Sequence, residues 1–148
     1  MTKQILATIK FCHGLNVCHR DLKPENIIFD KLNRGSIKVI DFGAAHHFSQ
    51  ANNRMRAVRG TPMYNAPEVS DDNEAGYTSM CDMWSIGVLL YVMLYGKLPF
   101  SGSNHDILQM VRTDPLPLVF DDEPPISDDA KNLIKKLITK VDARYNAE

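Results

Sequence analysis

The stretch from Trp84 to Leu94 is apolar around most of a helical circumference, broken only by Ser85 and Gly87. An amphipathic helix needs one packed face, but a helix apolar on nearly all sides needs protein around it, so this segment belongs at the centre of a core. Its limits are written locally. Thr78 or Ser79 can cap the start, Asp82 sits in the first turn, and Gly96 stops the helix before Pro99. The longest apolar run, Ile86 to Tyr95, spans ten residues and is interrupted only by Gly87. A membrane helix needs about 20, so the run is a core element and no transmembrane segment is expected.

Other elements follow from their own periodicities. Thr2 to His13 reads as a helix, with Ile5, Leu6, Ile9 and Cys12 at helical spacing and Gly14 as its stop. Ile27-Ile28-Phe29 and Ile37-Lys38-Val39-Ile40 are short β-branched runs, joined by a turn over Lys31-Leu32-Asn33-Arg34-Gly35. Ala44 to Gly60 lacks apolar periodicity and reads as loop, and Pro62 and Pro67 restrict helix until about Thr78. Asn104 to Thr113 forms a shorter amphipathic helix closed by Asp114-Pro115-Leu116-Pro117. Ser127 caps a last helix striped by Ala130, Leu133, Ile134, Leu137, Ile138 and Val141.

At 148 residues, 44% hydrophobic and 24% charged, the chain has the composition of one folded domain. A net charge of -1 gives no reason to expect a nucleic-acid partner or a general attraction to membranes. The three cysteines, Cys12, Cys18 and Cys81, leave at least one unpaired, and no basic-then-apolar leader opens the chain. A reducing, cytoplasmic setting fits.

The chemistry concentrates in His19-Arg20-Asp21-Leu22-Lys23-Pro24-Glu25-Asn26, followed by Asp41-Phe42-Gly43. Together these carry what phosphoryl transfer from ATP needs: a carboxylate to orient a hydroxyl, a cation for the moving group, and two oxygen ligands for magnesium. Asp21 and Asn26 lie five residues apart on a tight loop, so one can face a substrate while the other reaches a metal.

These two motifs, in this order, resemble the catalytic and metal-binding loops of eukaryotic protein kinases. Lys23, two residues after Asp21, is similar to the serine/threonine branch. The resemblance continues through Gly60-Thr61-Pro62-Met63-Tyr64-Asn65-Ala66-Pro67-Glu68, Asp82-Met83-Trp84-Ser85-Ile86-Gly87 and Arg144. Within the family, Cys18-His19-Arg20-Asp21 and Trp84 to Tyr91 are most similar to the calcium/calmodulin-dependent and calcium-dependent kinases.

The resemblance implies a mainly α fold: a kinase large lobe with short β-hairpins at the catalytic and metal-binding loops. Residues 1–148 would be a partial kinase domain, cut at both ends and without its small lobe, since no glycine-rich loop or strand lysine precedes the catalytic loop. It also implies roles. Asp21 orients the substrate hydroxyl, Lys23 stabilises the transferred group, and Thr61 steadies both. Asn26 and Asp41 hold Mg2+ (or Mn2+), and Lys23, Glu25, Asn26, Ile28 and Asp41 line the ATP site, with Ile28 beneath the adenine. His19 and Phe42 stack in the hydrophobic column between lobes, Gly43 completes the metal-binding motif, and Asp82 receives backbone N–H groups of the catalytic loop. Glu68 pairs with Arg144; removing one partner of such a buried pair costs about 3–5 kcal/mol.

Arg20 meets an activation-segment phosphate in relatives that need one. Here Ser49 is the only hydroxyl between Gly43 and Gly60, so activation without loop phosphorylation is expected, as in kinases switched by a regulatory domain. Arg54, Arg56 and Arg59 make the segment basic, and Glu25 is similar to a carboxylate that selects basic substrates. The implied partner is a protein with a Ser or Thr acceptor. The piece alone is expected to be inactive and to bind Mg2+ and ATP weakly; the uncovered apolar surface near His19, Ile28 and Phe42 implies either self-association or a disordered activation segment. The competing function is a non-catalytic kinase-like scaffold. Two metal readings are set aside: a zinc site from Cys12-His13 and Cys18-His19, because Cys12 falls on the apolar helix face and His19 has a role in the resemblance, and a calcium loop from Asp71, Asn73, Gly76 and Asp82, because Ala75 occupies a ligand position. His46-His47 reads as a solvated loop pair.

Overall fold

The computed structural model describes residues 1–33, 35–49, 52–70, 74–114 and 116–147. In chain order it places helix α1 (Thr2–Gly14), strands β1 (Val17–Cys18), β2 (Ile27–Phe29), β3 (Ile37–Val39) and β4 (His46–His47), then helices α2 (Met80–Tyr95), α3 (Asn104–Arg112) and α4 (Asp128–Leu137). Single 3-10 turns cover Pro24–Asn26, Pro62–Tyr64 and Val141–Ala143. Arg34 of the predicted turn, Asp71 and Asn73 of the calcium-loop echo, and Pro115 lie outside the described residues.

Helix α2 is the hub. Every residue from Cys81 to Tyr91 is buried, because α1 and α4 pack against it and the turn at Pro62–Tyr64 covers a further side. Each large apolar side chain buried this way stabilises the fold by roughly 1.5–3 kcal/mol. Trp84 stacks on Phe100 with ring centroids 6.1 Å apart. The polar residues on α2 are matched where they fall: Ser85 Oγ donates to the Tyr64 carbonyl at 2.8 Å, and Tyr91 Oη to the Val119 carbonyl at 2.7 Å. Gly96 takes the left-handed conformation that ends the helix.

The strands form two small antiparallel pairs. Strand β2 pairs with β3 (Ile27 opposite Val39, Phe29 opposite Ile37), and β1 pairs with β4 (Val17 opposite His47, Cys18 opposite His46). These pairs fold the two motif-bearing loops back against α1 and α2, so the fold is mainly helical with β only where the loops are anchored.

Several local expectations are corrected. Helix α1 runs through Gly14; Leu15 caps it without the left-handed turn, and Asn16 takes the positive φ (58°) instead. His46 and His47 have exposed side chains, but their backbones form β4 rather than loop. No side-chain bond from Ser79 caps α2; Thr78 Oγ1 accepts from Met80 N at 3.4 Å. Helix α4 stops at Leu137, so Val141 leaves the stripe for a 3-10 turn and is 37% exposed. Helix α3 opens on a reciprocal cap between Ser103 and Asp106 that the sequence reading did not identify.

Candidate active site

The catalytic-loop octet follows β1 directly, and α2 fixes its entrance. Asp82, fully buried in the first turn of α2, accepts from His19 N at 2.9 Å and Arg20 N at 2.8 Å. It also accepts from His13 Nε2 at 2.9 Å and Cys18 Sγ at 3.3 Å. The loop is bent sharply there, with Arg20 at φ 67°. Left-handed backbone is disfavoured for a residue with a Cβ, by about 1–2 kcal/mol, and the paired amides on Asp82 hold it in place.

Beyond the bend, three side chains close a hydrogen-bonded triangle. Thr61 Oγ1 donates to Asp21 Oδ1 at 2.7 Å, Lys23 Nζ donates to Thr61 Oγ1 at 3.0 Å, and Lys23 Nζ lies 2.9 Å from Asp21 Oδ2. Partial burial pushes the Asp21 carboxyl up, but the hydrogen bonds from Lys23 and Thr61 and the Lys23 charge outweigh it and hold it below the ordinary carboxylate range. The Asp21 hydrogen bond pushes the Lys23 ammonium up. Both groups are therefore ionised at neutral pH. Thr61 reaches the triangle because Gly60 lies flat on the catalytic loop: at φ 90°, a Cβ there would meet the Arg20 carbonyl oxygen at 2.3 Å.

Asn26 is buried under the loop, and its Nδ2 donates to the Asp21 carbonyl at 2.8 Å. Among the described residues no hydrogen bond occupies its Oδ1. Asp41 is exposed, sits at φ 62°, and accepts from Gly43 N through Oδ1 at 3.1 Å, leaving Oδ2. Two such oxygens, one neutral and one charged, fit a hard cation such as Mg2+. His19 is fully buried; its Nε2 donates to the Ile40 carbonyl at 3.1 Å, and its ring meets Phe42 edge-on at 4.7 Å. Phe42 and Ile28 are themselves 44% and 41% exposed, and Glu25 is open to solvent. Gly43 follows Asp41 closely enough that a Cβ would lie 3.0 Å from its Oδ1.

Farther off, buried Arg144 pairs with half-buried Glu68. Its Nη1 and Nη2 reach the two carboxylate oxygens at 2.5 and 3.1 Å, while other guanidinium bonds go to the Met80 and Thr139 carbonyls. Arg20 is no free solvated cation. Its Nε donates to the Ala44 carbonyl at 2.7 Å and its Nη1 to Tyr77 Oη at 3.2 Å.

His13 and Tyr77 were missed as site residues. His13 follows Ile9 by four on the buried stripe of α1, which was the available signal; Tyr77 had none. His13, Cys18 and Asp82 bring one donor atom each within 4.8 Å of the others. The two Asp82 oxygens already take four donors between them, so this is a saturated hydrogen-bond cluster and not an open metal site. A concavity of about 720 Å³ near Trp84, Val111 and Leu116 includes none of the catalytic-loop residues.

A lysine-steadied carboxylate thus lies beside two side-chain oxygens on adjacent loops, carried by a helical lobe. The protein kinase domain family matches residues 1–148, and the chain belongs to that family. It is 44% identical over 139 residues to calcium-dependent protein kinase 3 of Plasmodium yoelii yoelii, covering 93% of this chain and 25% of that protein. It is also 45% identical over 139 residues to calcium-dependent protein kinase 4 of Plasmodium falciparum (isolate 3D7), covering 92% of this chain and 26% of that protein. The chain thus spans about a quarter of the length of these curated relatives. Among the described residues no helix is long and apolar enough to cross a membrane.

Proposed function

We propose that this chain is the large-lobe part of a protein serine/threonine kinase that transfers the γ-phosphoryl group of ATP to a protein hydroxyl. The observation that carries this reading is the closed triangle of Asp21, Lys23 and Thr61. A loose phosphoryl-transfer transition state asks for positioning more than for a strong base, and an ionised Asp21 held on both oxygens supplies it. In this reading Lys23 balances charge on the transferred group, and Asn26 and Asp41 hold the metal. Bound ATP with Mg2+ (or Mn2+) supplies the phosphoryl group and the counter-charge. Ile28 and Phe42 offer apolar contact, and His19 fixes Phe42. Gly43 leaves room beside Asp41, while Asp82 and the Glu68–Arg144 pair hold the loops. Exposed Glu25 favours a substrate with a basic residue near its acceptor.

This chain contains neither a glycine-rich phosphate-covering loop nor its partner lysine, so activity is assigned to a longer protein and not to this piece alone. The exposed side chains of Ile28, Phe29, Ile40 and Phe42 fit a surface covered by a second lobe, and left open they favour self-association. Similarity to calcium-dependent kinases extends the proposal to a cytoplasmic enzyme governed by a calcium-responsive regulatory domain.

The test is phosphate transfer from labelled ATP to a serine peptide carrying arginine, using the longer protein with and without Asp21→Asn. Transfer lost in the variant supports the proposal. Equal transfer would sink it, and no transfer by either protein would favour the scaffold. For the chain alone, a thermal shift of several degrees on adding Mg2+ and ATP would overturn the assigned inactivity.

A further inference from the structure

The segment that delivers Thr61 to Asp21 lacks apolar periodicity and carries Arg54, Arg56 and Arg59. Something must hold it. Arg54 Nη1 donates to the Gly76 carbonyl at 3.2 Å and Asn65 Nδ2 to the Arg59 carbonyl at 3.0 Å, and three further bonds converge on one residue. Tyr77 N donates to the Met55 carbonyl at 2.8 Å, and Met55 N donates to the Tyr77 carbonyl at 2.7 Å, forming an isolated antiparallel bridge. Tyr77 Oη donates to the Ala57 carbonyl at 2.6 Å and accepts from Arg20 Nη1 at 3.2 Å. Tyr77 is 2% exposed, five residues before Asp82 and next to the helix that holds the catalytic loop.

We infer that Tyr77 is a positioning residue: through the relay Arg20–Tyr77–Ala57 it clamps the 54–61 segment to the catalytic loop with an uncharged hydroxyl. The inference rests on the proposed kinase reading and adds to it how the substrate-side segment is set. The relay has a direction. Arg20 can only donate, so the hydroxyl must accept from it and spend its own proton on Ala57, which fixes the rotor. Burial pushes the phenol up despite the opposing Arg20 hydrogen bond and charge, so the proton stays available to Ala57 at neutral pH. Arg20 in turn bonds Ala44 just past the metal-binding motif, so one guanidinium ties Ala44 directly, and Ala57 through Tyr77, to the loop bearing Asp21. Ser49, the one hydroxyl between Gly43 and Gly60, bonds locally with Asn52. The clamp thus ties the segment to the Arg20 guanidinium through a neutral hydroxyl and backbone carbonyls, with no phosphate taking part.

The experiment is Tyr77→Phe, which keeps the ring and removes only the hydroxyl. Hydrogen exchange on the 148-residue chain should show amides of Met55 to Gly60 exchanging about threefold to tenfold faster, with those of α1, α2 and α4 unchanged. Arg20→Met should give the same local loosening, and the double variant no more than either single one. In the longer protein Tyr77→Phe should lower kcat while leaving KM for ATP unchanged. Uniform acceleration, additive effects, unchanged exchange at 55–60, or a Tyr77→Phe chain that does not fold would each overturn the clamp. An unchanged kcat would overturn its role in turnover. If the longer wild-type protein transfers no phosphate, the kinase reading fails, while the exchange data still decide whether the clamp exists.

Discussion

Asp82 accepts a hydrogen bond from His13 Nε2 at 2.9 Å, and the same carboxylate holds the backbone of His19 and Arg20. One side chain of α1 therefore stabilises the group that shapes the catalytic loop. Complete burial alone would raise the Asp82 carboxyl. The His13 hydrogen bond and charge, with the two loop amides, outweigh it and hold the carboxyl below the ordinary range. A carboxyl whose folded value lies below its unfolded one contributes stability above about pH 4 and loses it as pH falls through the folded value. His13→Ala removes the largest of these lowering causes. Urea unfolding followed from roughly pH 7 to pH 2 should show about 1–3 kcal/mol lost at neutral pH and acid destabilisation starting at a higher pH. Superimposable acid curves for the two proteins would contradict the assignment.

The Glu68–Arg144 pair anchors the stretch that follows Thr61 to the turn after α4. The Arg144 side chain is fully buried, so Glu68→Ala strands a charge that burial penalises. The expected loss is about 3–5 kcal/mol for either partner's removal, with the double variant well short of the sum. Arg144→Lys should not rescue, because an ammonium cannot serve two carboxylate oxygens and the Met80 and Thr139 carbonyls in one plane. Denaturant midpoints decide it; full stability in Arg144→Lys would mean that charge alone matters.

Thr61 joins Asp21 to Lys23 by its hydroxyl, so Thr61→Ser should keep the triangle and Thr61→Ala should open it. In the longer protein the alanine variant is expected to lower kcat about 10–100-fold with little change in KM for ATP. Because the Thr61 hydrogen bond helps hold the Asp21 carboxyl low, its loss should also move any Asp21-dependent acid limb of kcat upward. In the proposed mechanism protonated Asp21 is the inactive form, so its limb in the wild-type protein should lie below the ordinary carboxylate range. Equal kcat for the serine and alanine variants would remove Thr61 from the site.

Local signals and distant contacts were not equally readable. The central helix, its Gly96 stop and the β2–β3 pair follow from periodicity and turn chemistry, which are properties of neighbours in sequence. The Asp21–Asn26 loop was readable because its residue types are tied to one chemistry at fixed spacing. Tyr77 and His13 were not, because their partners Ala57, Arg20 and Asp82 are brought close only by tertiary packing. Gly14 misled for a related reason: a glycine can end a helix, but here Asn16 takes the left-handed position and the helix continues through the glycine. The stripe to Val141 overran the helix because Ile138 leaves helical geometry, at ψ 78°, while still pointing into the core.

Gly87 tests how closely the core is built. It lies on α2 where α4 crosses, and a Cβ there would meet Ile138 Cγ1 and Leu137 Cβ, each at 2.8 Å. Two effects oppose each other in Gly87→Ala. Alanine favours a helix interior over glycine by about 1 kcal/mol. Forcing a methyl group into packed side chains costs about 1–3 kcal/mol, because a core cannot yield by several tenths of an ångström without moving a helix. The Leu137 obstruction is a Cβ fixed to backbone, so rotamer change cannot relieve it, and overpacking wins. The variant should be less stable by up to about 2 kcal/mol, the difference of those terms. Since α2 also carries Asp82, moving α4 off it should leave the His19 and Arg20 amides protected while those of α4 exchange faster. A stabilised Gly87→Ala chain would show that α4 rides on α2 with slack, and that glycine is not required for their approach.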